Sequence, residues 1–493
     1  MKKDMLWIGL AALLIPILAR FIWFYPGVPS RPEIATPDYK SLTIPQPTLE
    51  SENVVQEDVK LAGGVVLIDY VHANQFQPAE IQSLREDIQG RGGRLETLTD
   101  VTTLVNRLKY ANSFIIISPS LAFTSDEIRA VTNFVGRGGR LAVFTDATRG
   151  LTYTDFFTGT TISMPDINVV NPLLANFGIS INNDYLYNLV ENEGNFRNVL
   201  FGNFGKDELT FGLKQIAFYG THSVKSDSGQ VLLFGADQTF SSITDAHSAK
   251  EGGAAISEDG NVVAFGDITF MTPPYNTVSD NGTLIANIAD FLLGSKLTPS
   301  LATFPYVFSQ ANLQVFPTTE VQMTAEMVGA LGRLQTSLQA VNVNMQISAK
   351  GSIEGDKLIL GTFTPTEDLV PFVEPFNIQI DEFSEFVEVP GFGNVGRLGN
   401  GVLLFESGSK GNTIVLLADT VIDLTYLLDT ISTGNLGSCV LQGDIGVCSI
   451  GFGGSFSEEA GGVTTTEGTP TGEPTTGEGT PEASPTPTAI PAG

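Results

Sequence analysis

A six-residue sequence, Gly-Arg-Gly-Gly-Arg-Leu, occurs twice in the first third of the chain, at Gly90–Leu95 and at Gly136–Leu141. Each copy follows an amphipathic segment and leads into a short apolar run. Glycine adopts the left-handed conformation that ends a helix at little steric cost, so both copies predict a turn from a helix into a strand. A repeated turn of this kind predicts an α/β fold with a doubly wound, mostly parallel sheet.

Short apolar runs predict the strands of this sheet. Runs of the length and composition of buried parallel strands occur at Gly64–Tyr70, Leu95–Leu98, Ser113–Ile117, Leu141–Phe144, Val231–Phe234 and Val262–Phe265. A helix predicted at Asn281–Leu293 completes a domain over residues 59–296. The alternation of strands and helices resumes in a second, smaller α/β domain at residues 297–456, which we interpret as a diverged partial repeat of the first.

The N-terminus predicts a membrane helix. Residues 5–25 are apolar except for Arg20, and as a helix they would span about 30 Å, the thickness of a bilayer core. Lys2 and Lys3 place residues 1–4 in the cytoplasm and the bulk of the chain outside the cell, as a single-pass signal anchor. A cleaved signal peptide is the alternative, against which the large Ile17 stands two positions before Ala19, where a cleavage site requires a small residue.

Two segments are predicted to lack a packed core. Residues 26–58 are rich in Pro, Thr, Ser and Glu and predict an extended stalk, whereas residues 457–493 contain no aromatic residue, Lys or Arg and predict a disordered, low-complexity tail. Whether this tail is glycosylated is left open. The formal net charge of -28 excludes nucleic acid as a partner, because binding phosphates requires a basic surface.

Polar residues follow several predicted strands and define a candidate ligand crevice: Asp69, Ser118, Thr145, Asp146, Asp237 and Asp267. The carboxyl ends of parallel strands meet at one edge of a sheet, where open α/β proteins bind ligands. Carboxylates there could hold a divalent cation or hydrogen-bond sugar hydroxyls. The alternative is that each Asp caps the turn that follows its strand. No metal site and no cofactor are predicted.

Three other features have an interpretation of their own. Cys439 and Cys448 predict either a disulfide or two free buried thiols. Gly391–Gly396 matches the dinucleotide-binding glycine pattern, but no helix follows it, so a hairpin loop is predicted. An aromatic cluster either packs under an insertion or faces a ligand or partner: Phe196, Phe201, Phe204, Phe211, Phe218 and Tyr219.

The order of these motifs carries a resemblance. Two Gly-Gly-Arg turns, Ser118-Pro119 after a strand, Asn171-Pro172-Leu173-Leu174 and Gly266-Asp267 occur in sequence. Residues 61–296 thereby resemble the class I glutamine amidotransferase-like domains of bacterial membrane proteins, a flavodoxin-like architecture. They are also similar to the extracytoplasmic part of gliding-motility-type ABC transporter auxiliary proteins. The resemblance implies a partner among ABC transporter or other envelope proteins.

The resemblance does not extend to the residues that perform the amidotransferase reaction. Amidotransferases use a cysteine after a central strand and a His-x-Glu motif, whereas here Thr145-Asp146 follows the strand and none of the three histidines (His72, His222, His247) precedes Glu by two positions. We therefore expect a non-catalytic membrane-anchored protein that binds a partner protein or a glycan. The alternative is an extracytoplasmic hydrolase or carbohydrate-active enzyme that uses the strand-end aspartates.

Overall fold

The computed structural model describes residues 2–25, 63–154, 156–243, 252–348, 354–381, 383–434 and 436–450. The predicted stalk, the predicted tail and His247 lie outside the described residues. The chain divides into two compact units, residues 1–59 and 60–493.

The first unit contains helix α1, Lys2–Phe24. Residues Lys3–Phe24 are long enough and apolar enough to cross a membrane. The predicted apolar helix is therefore confirmed, while its retention as an anchor and its orientation remain predictions.

The second unit begins with a large mixed sheet and its helices. In chain order the elements are β1 Val65–Asp69, α2 Gln82–Gly90, β2 Arg94–Leu98, α3 Leu104–Leu108, β3 Ser113–Ile117, α4 Ser125–Gly136, β4 Arg140–Phe144, β5 Leu151–Thr154, β6 Thr161–Met164, α5 Ile167–Leu174, β7 Ile179–Ile181, β8 Leu186–Asn188, β9 Asn198–Phe201, β10 Asn203–Phe204, β11 Ile216–Tyr219, β12 Val224–Ser226, β13 Gln230–Phe234, β14 Thr239–Ser241, β15 Gly252–Ile256, β16 Val262–Phe265 and α6 Asn281–Leu293. The main sheet has the order β10-β13-β15-β16-β4-β3-β1-β2, with β12 also paired to β15 and β7 paired to β12.

The central strands of this sheet are parallel. Strands β2, β1, β3, β4 and β16 run in one direction, whereas β15, β13, β10, β12 and β7 extend the sheet by antiparallel pairs. Helices α2 and α6 bury their apolar faces on one side of the sheet, and α3, α4 and α5 do so on the other. The predicted α/β class with helices on both faces is confirmed, and the antiparallel extension is a feature that the strand pattern did not predict.

The repeated hexapeptide performs the predicted turn in both places. Its third residue, Gly92 or Gly138, has a positive φ of 81° or 90° and leads the chain from α2 into β2 or from α4 into β4. Its fourth residue packs closely: a Cβ on Gly93 would lie 2.7 Å from a methyl carbon of Leu293, and one on Gly139 would meet the ring of Phe134. One glycine therefore supplies backbone conformation and the next supplies space.

A second sheet follows. Its elements are β17 Asn312–Pro317, α7 Ala325–Gln339, β18 Asn344–Ile347, β19 Asp356–Thr362, α8 Val370–Val373, β20 Gln379–Ile380, β21 Phe386–Val389, β22 Gly393–Gly396, β23 Asn400–Gly408, β24 Gly411–Ala418, α9 Val421–Ser432, β25 Cys439–Gln442 and β26 Ile445–Ser449. The sheet order is β18-β17-β19-β24-β23-β26-β25, parallel from β18 to β24 and antiparallel beyond, while β20, β21 and β22 form a separate small sheet.

Two motifs of this second part have clear outcomes. The glycine pattern 391–396 lies in the turn and second strand of the β21–β22 hairpin, as predicted. The capping pattern Thr364-Pro365-Thr366-Glu367 predicts a helix that continues to Phe376, and this prediction is wrong: only Val370–Val373 is α-helical, followed by a 3₁₀ turn at Glu374–Phe376. Pro371 and Pro375 lack the N–H that an extended α-helix requires, which explains the short helix.

Candidate functional site

The carboxyl edge of the parallel strands gathers five of the six predicted crevice residues. Asp69 ends β1, while Ser118, Thr145-Asp146 and Asp267 follow β3, β4 and β16 within two residues. These five residues are all fully buried (0% exposed). The predicted edge of the sheet therefore exists, but its carboxylates face the interior of the protein rather than an open crevice.

Asp69 holds the loop that follows β1. Its carboxylate accepts hydrogen bonds from the Val71 N–H (3.0 Å), from His72 Nδ1 (2.9 Å) and from the Asn74 amide (2.8 Å). Asn74 in turn accepts from the N–H of Ile117 in the neighbouring strand β3, at 2.9 Å. Asp69 thus acts as the turn cap that was the alternative to a ligand site.

His72 joins this loop to helix α4. Its Nε2 lies 3.5 Å from Oε1 of Glu127, in the first turn of α4, and its ring stacks on Phe123 at a centroid distance of 3.8 Å. Burial by itself lowers the pKa of His72, but the hydrogen bond to Asp69 and the charges of Asp69 and Glu127 outweigh it, so the pKa is raised. The two carboxylates therefore favour the protonated form of the imidazole that lies between them.

Asp146 organises the loop after β4 together with Arg149. The Arg149 guanidinium lies 3.3 Å from Asp146 Oδ2 and makes a two-pronged contact with Glu80, at 2.7 and 3.0 Å. Arg149 also donates to the main-chain carbonyl of Gln75, at 2.7 Å. Burial raises the pKa of Glu80, but the hydrogen bonds from Arg149 and from the Gln77 N–H outweigh this effect. The pKa of Glu80 is therefore lowered. This network ties the loops after β1 and β4 to each other.

Asp267 lies beside Asp146 at the end of β16. Its carboxylate accepts from the N–H groups of Tyr219 (2.8 Å) and Thr269 (2.7 Å), and the Thr269 hydroxyl donates to Asp146 at 2.7 Å. Complete burial and the negative charge of Asp146 raise the pKa of Asp267 well above its usual value. Neighbouring carboxyl groups with a raised pKa are also found in acid–base catalysts. Here, however, the Asp267 carboxylate already accepts hydrogen bonds from main-chain N–H groups.

Neither hydroxyl group of the predicted crevice is hydrogen-bonded to a base among the described residues. The Thr145 hydroxyl donates to the carbonyl of Phe265 at 3.1 Å, so its proton is already committed to the main chain. Ser118 has a positive φ of 38°, and its buried Oγ has no hydrogen-bond partner among the described residues. Activation of either hydroxyl would require an imidazole or amine beside it, and the His72 Nε2 is directed to Glu127 instead.

A third polar group at this edge was not predicted from the sequence. His222 Nδ1 donates to the main-chain carbonyl of Asp184 at 2.6 Å, and its Nε2 lies 3.6 Å from Oδ1 of Asp166. The other Asp166 oxygen accepts from the N–H of Asp146 at 3.1 Å, which connects this group to the β4 loop. These residues are far apart in sequence and follow no strand motif, so no signal in the sequence joins them.

Asp237 lies apart from the other five. It follows β13, which the antiparallel β15 separates from β16, and it is exposed. It lines a cavity of about 720 Å³ together with polar side chains that include Glu191, Asn203 and Gln238. Within the described residues, no group of three or more His, Cys, Asp or Glu side chains is arranged to hold a metal ion.

The aromatic cluster is divided between core and surface. Phe201, Phe218 and Tyr219 are buried and pack into the main core, and Phe204 packs against that core from its edge. Phe196 (42% exposed) and Phe211 (72% exposed) remain at the surface. Packing under an insertion, one of the two interpretations, therefore describes most of the cluster.

The two cysteines are joined. Cys439 and Cys448 form a disulfide with an Sγ–Sγ distance of 2.02 Å, across the β25–β26 hairpin. Cys448 is buried in the core under α7 and α9. The bond therefore closes the last hairpin of the second sheet.

Comparison with known proteins gives similarities in structure alone. No protein-family model matches this chain, and no curated protein matches it. The chain is similar to the "mmIFT52 N-terminal domain", with 16% identity, a TM-score of 0.37 and coverage of 46% of this chain and 97% of that one. It is also similar to a ThuA-like protein from Bacteroides uniformis ATCC 8492, with 14% identity, a TM-score of 0.30 and coverage of 48% and 93%. PurLQS from Thermotoga maritima follows with 10% identity, a TM-score of 0.23 and coverage of 46% and 96%.

Proposed function

We propose that this chain is a non-catalytic binding or scaffold protein, held to the membrane by α1 and exposing its two sheet domains outside the cell. In this proposal it serves as an auxiliary component of an ABC transport or other envelope complex, whose ATPase and permease are separate chains. Its partner is an envelope protein or a glycan.

The observation that carries this proposal is the use of the strand-end residues. Asp69, Asp146 and Asp267 are buried and accept hydrogen bonds from neighbouring loops. The Thr145 hydroxyl, at the position where the resembling amidotransferases carry cysteine, donates to a carbonyl. Polar groups whose hydrogen bonds are already made within the protein stabilise its loops and are not available to bind a substrate.

The amidotransferase-like assignment of the first domain is part of the same proposal. It is supported by the order of the sequence motifs and by the arrangement β2-β1-β3-β4 of parallel strands with helices on both faces. We infer that the architecture of that class was kept while its nucleophile was replaced.

The alternative function, a hydrolase or carbohydrate-active enzyme, is supported less well. Glycoside hydrolysis requires two carboxyl groups about 5–10 Å apart that both reach the sugar. Asp146 and Asp267 have no exposed surface, and the exposed Asp237 stands apart from them. A structural role of these aspartates as loop caps is therefore better supported than a catalytic role.

Anchoring and orientation are tested together by fractionating cells that express the full chain. We expect the protein in the membrane fraction after carbonate washing, cut by protease added to intact cells, and with its N-terminal methionine and lysines retained. A matched variant, Leu13→Arg with Leu14→Arg, places two charges in the centre of α1 and should leave the membrane fraction, since each charge costs about 2.5–3.5 kcal/mol there. Wild-type ectodomain recovered in the medium with a new N-terminus would refute the anchor.

A further inference from the structure

The β5–β6 hairpin presents two phenylalanines to solvent. Strands β5 and β6 pair only with each other within the described residues, and the tip between them carries Phe156 and Phe157. These adjacent side chains are 90% and 93% exposed, with ring centroids 5.8 Å apart. Large apolar side chains exposed so completely and side by side indicate a contact with an apolar partner.

The tip is almost free of charge, which limits what that partner can be. From Leu151 to Met164 the sequence has one charged residue, Asp155, in a chain whose formal net charge is -28. A segment of Thr, Gly and aromatic residues can leave water at low cost, because few charges must be desolvated. The rings also project from a hairpin rather than line a groove, so they suit a deformable apolar phase better than a shaped pocket.

We propose that Phe156 and Phe157 insert into the acyl chains of the bilayer to which α1 anchors the protein. This inference rests on the proposed anchoring, since the tether raises the effective concentration of lipid at the hairpin. Insertion too weak to recruit a free protein is then sufficient to hold a tethered one, and it gives the ectodomain a second attachment to the membrane.

The charge of the chain determines which lipids the hairpin favours. Its 54 acidic against 26 basic residues repel an anionic surface, so insertion should be strongest in neutral, zwitterionic lipid. In anionic vesicles the inserted fraction should fall, and salt should restore part of it, because screening acts over about 8–10 Å at physiological ionic strength.

The positions of the natural tryptophans make a direct test possible. Trp7 and Trp23, the two tryptophans of the chain, both lie in α1. The full chain with Trp7→Phe and Trp23→Phe, combined with Phe156→Trp, therefore carries one fluorescent probe at the tip. Phe383→Trp in the same background is the matched control, since Phe383 is 96% exposed in the second domain.

Both proteins are reconstituted in phosphatidylcholine vesicles with and without brominated acyl chains, which quench tryptophan in the bilayer. We expect the emission at position 156 to shift to the blue and be quenched, and the emission at position 383 to do neither. Adding Phe157→Ser should reduce the inserted-to-free ratio at position 156 by about tenfold, the contribution of one buried ring.

Flotation of the vesicles separates this inference from the anchor on which it rests. Protein that does not float with the vesicles overturns both. Protein that floats while position 156 stays unquenched overturns the hairpin insertion alone and indicates a protein partner for the tip. Equal quenching at positions 156 and 383 also overturns it, because the whole ectodomain would then lie on the bilayer.

Discussion

His72 shows how a residue at a ligand-binding edge can serve stability. Its imidazole lies between the carboxylates of Asp69 and Glu127 and is almost completely buried. Such a group resembles an oriented catalytic base, but its second nitrogen faces a carboxylate rather than a nucleophile. In its protonated form the imidazole therefore stabilises the junction between the β1 loop and α4.

This role predicts a pH-dependent effect of the substitution His72→Gln. Because the pKa of His72 is raised above 6.5 in the folded protein, its contribution is fully present below pH 6.5 and is lost as the pH rises through the raised pKa. We expect His72→Gln to reduce the free energy of unfolding by about 1–2 kcal/mol at pH 5.5 and by less at pH 9. Urea titrations of both proteins at the two pH values measure this, and an equal or larger loss at pH 9 would contradict the ion-pair role.

The glycines of the repeated hexapeptide allow a matched pair of substitutions. Gly138 has a positive φ, and a Cβ there would meet the main-chain carbonyl of Lys296, so Gly138→Ala should destabilise by at least about 1–2 kcal/mol. Gly136, two residues earlier, ends helix α4 with open space around it. Gly136→Ala should stabilise by about 0.4–1 kcal/mol, because alanine restricts the unfolded chain.

Thermal unfolding of both variants and the wild type measures the contrast. Equal effects of the two substitutions would show that the turn conformation is not what the hexapeptide provides.

At the scale of elements, the sequence predicted the strands and turns that depend on local composition. The central strands were predictable because continuous apolar runs are typical of strands buried on both faces, and the turns were predictable because glycine permits positive φ. The capping pattern at Thr364 predicted too long a helix, because Pro371 and Pro375 restrict the α-helical segment to Val370–Val373. The antiparallel pairing of β13 and β15 depends on contacts between separate segments of the chain, which the periodicity within each segment does not reveal.

The candidate site was predictable to the same extent. The positions of Asp69, Asp146 and Asp267 after their strands follow from the strand pattern. Their burial depends on contacts with Arg149, Asn74 and the N–H groups of other loops. The tertiary fold alone brings Asp166, Asp184 and His222 together.

The disulfide of the β25–β26 hairpin predicts a measurable contribution to stability. A bond that closes a loop of about ten residues restricts the unfolded chain by about 2.5 kcal/mol. The double variant Cys439→Ala/Cys448→Ala should therefore unfold at a lower temperature than the oxidised wild type. Reductant should lower the wild-type midpoint to that of the variant and leave the variant unchanged, and free thiols in freshly exported wild-type protein would contradict the bond.

At the scale of the whole molecule, the two sheet domains share an arrangement and a contact. In both, the first strand lies between the second and the third, as β2-β1-β3 and β18-β17-β19, which is compatible with the predicted partial repeat. The Lys109 ammonium group of the first domain donates hydrogen bonds to two carbonyls of the second domain, those of Phe304 (3.2 Å) and Gly434 (3.1 Å).

The proposal that the amidotransferase-type edge has lost its reaction is tested most directly by hydrolysis. Purified full-length protein is incubated with glutamine, with a nitrophenyl ester and with nitrophenyl glycosides, beside the variants Thr145→Val and Asp146→Asn. We expect no turnover above the blank for the wild type or for either variant. Wild-type turnover that Thr145→Val or Asp146→Asn abolishes, while the variant remains folded by circular dichroism, would show that this edge is a working active site.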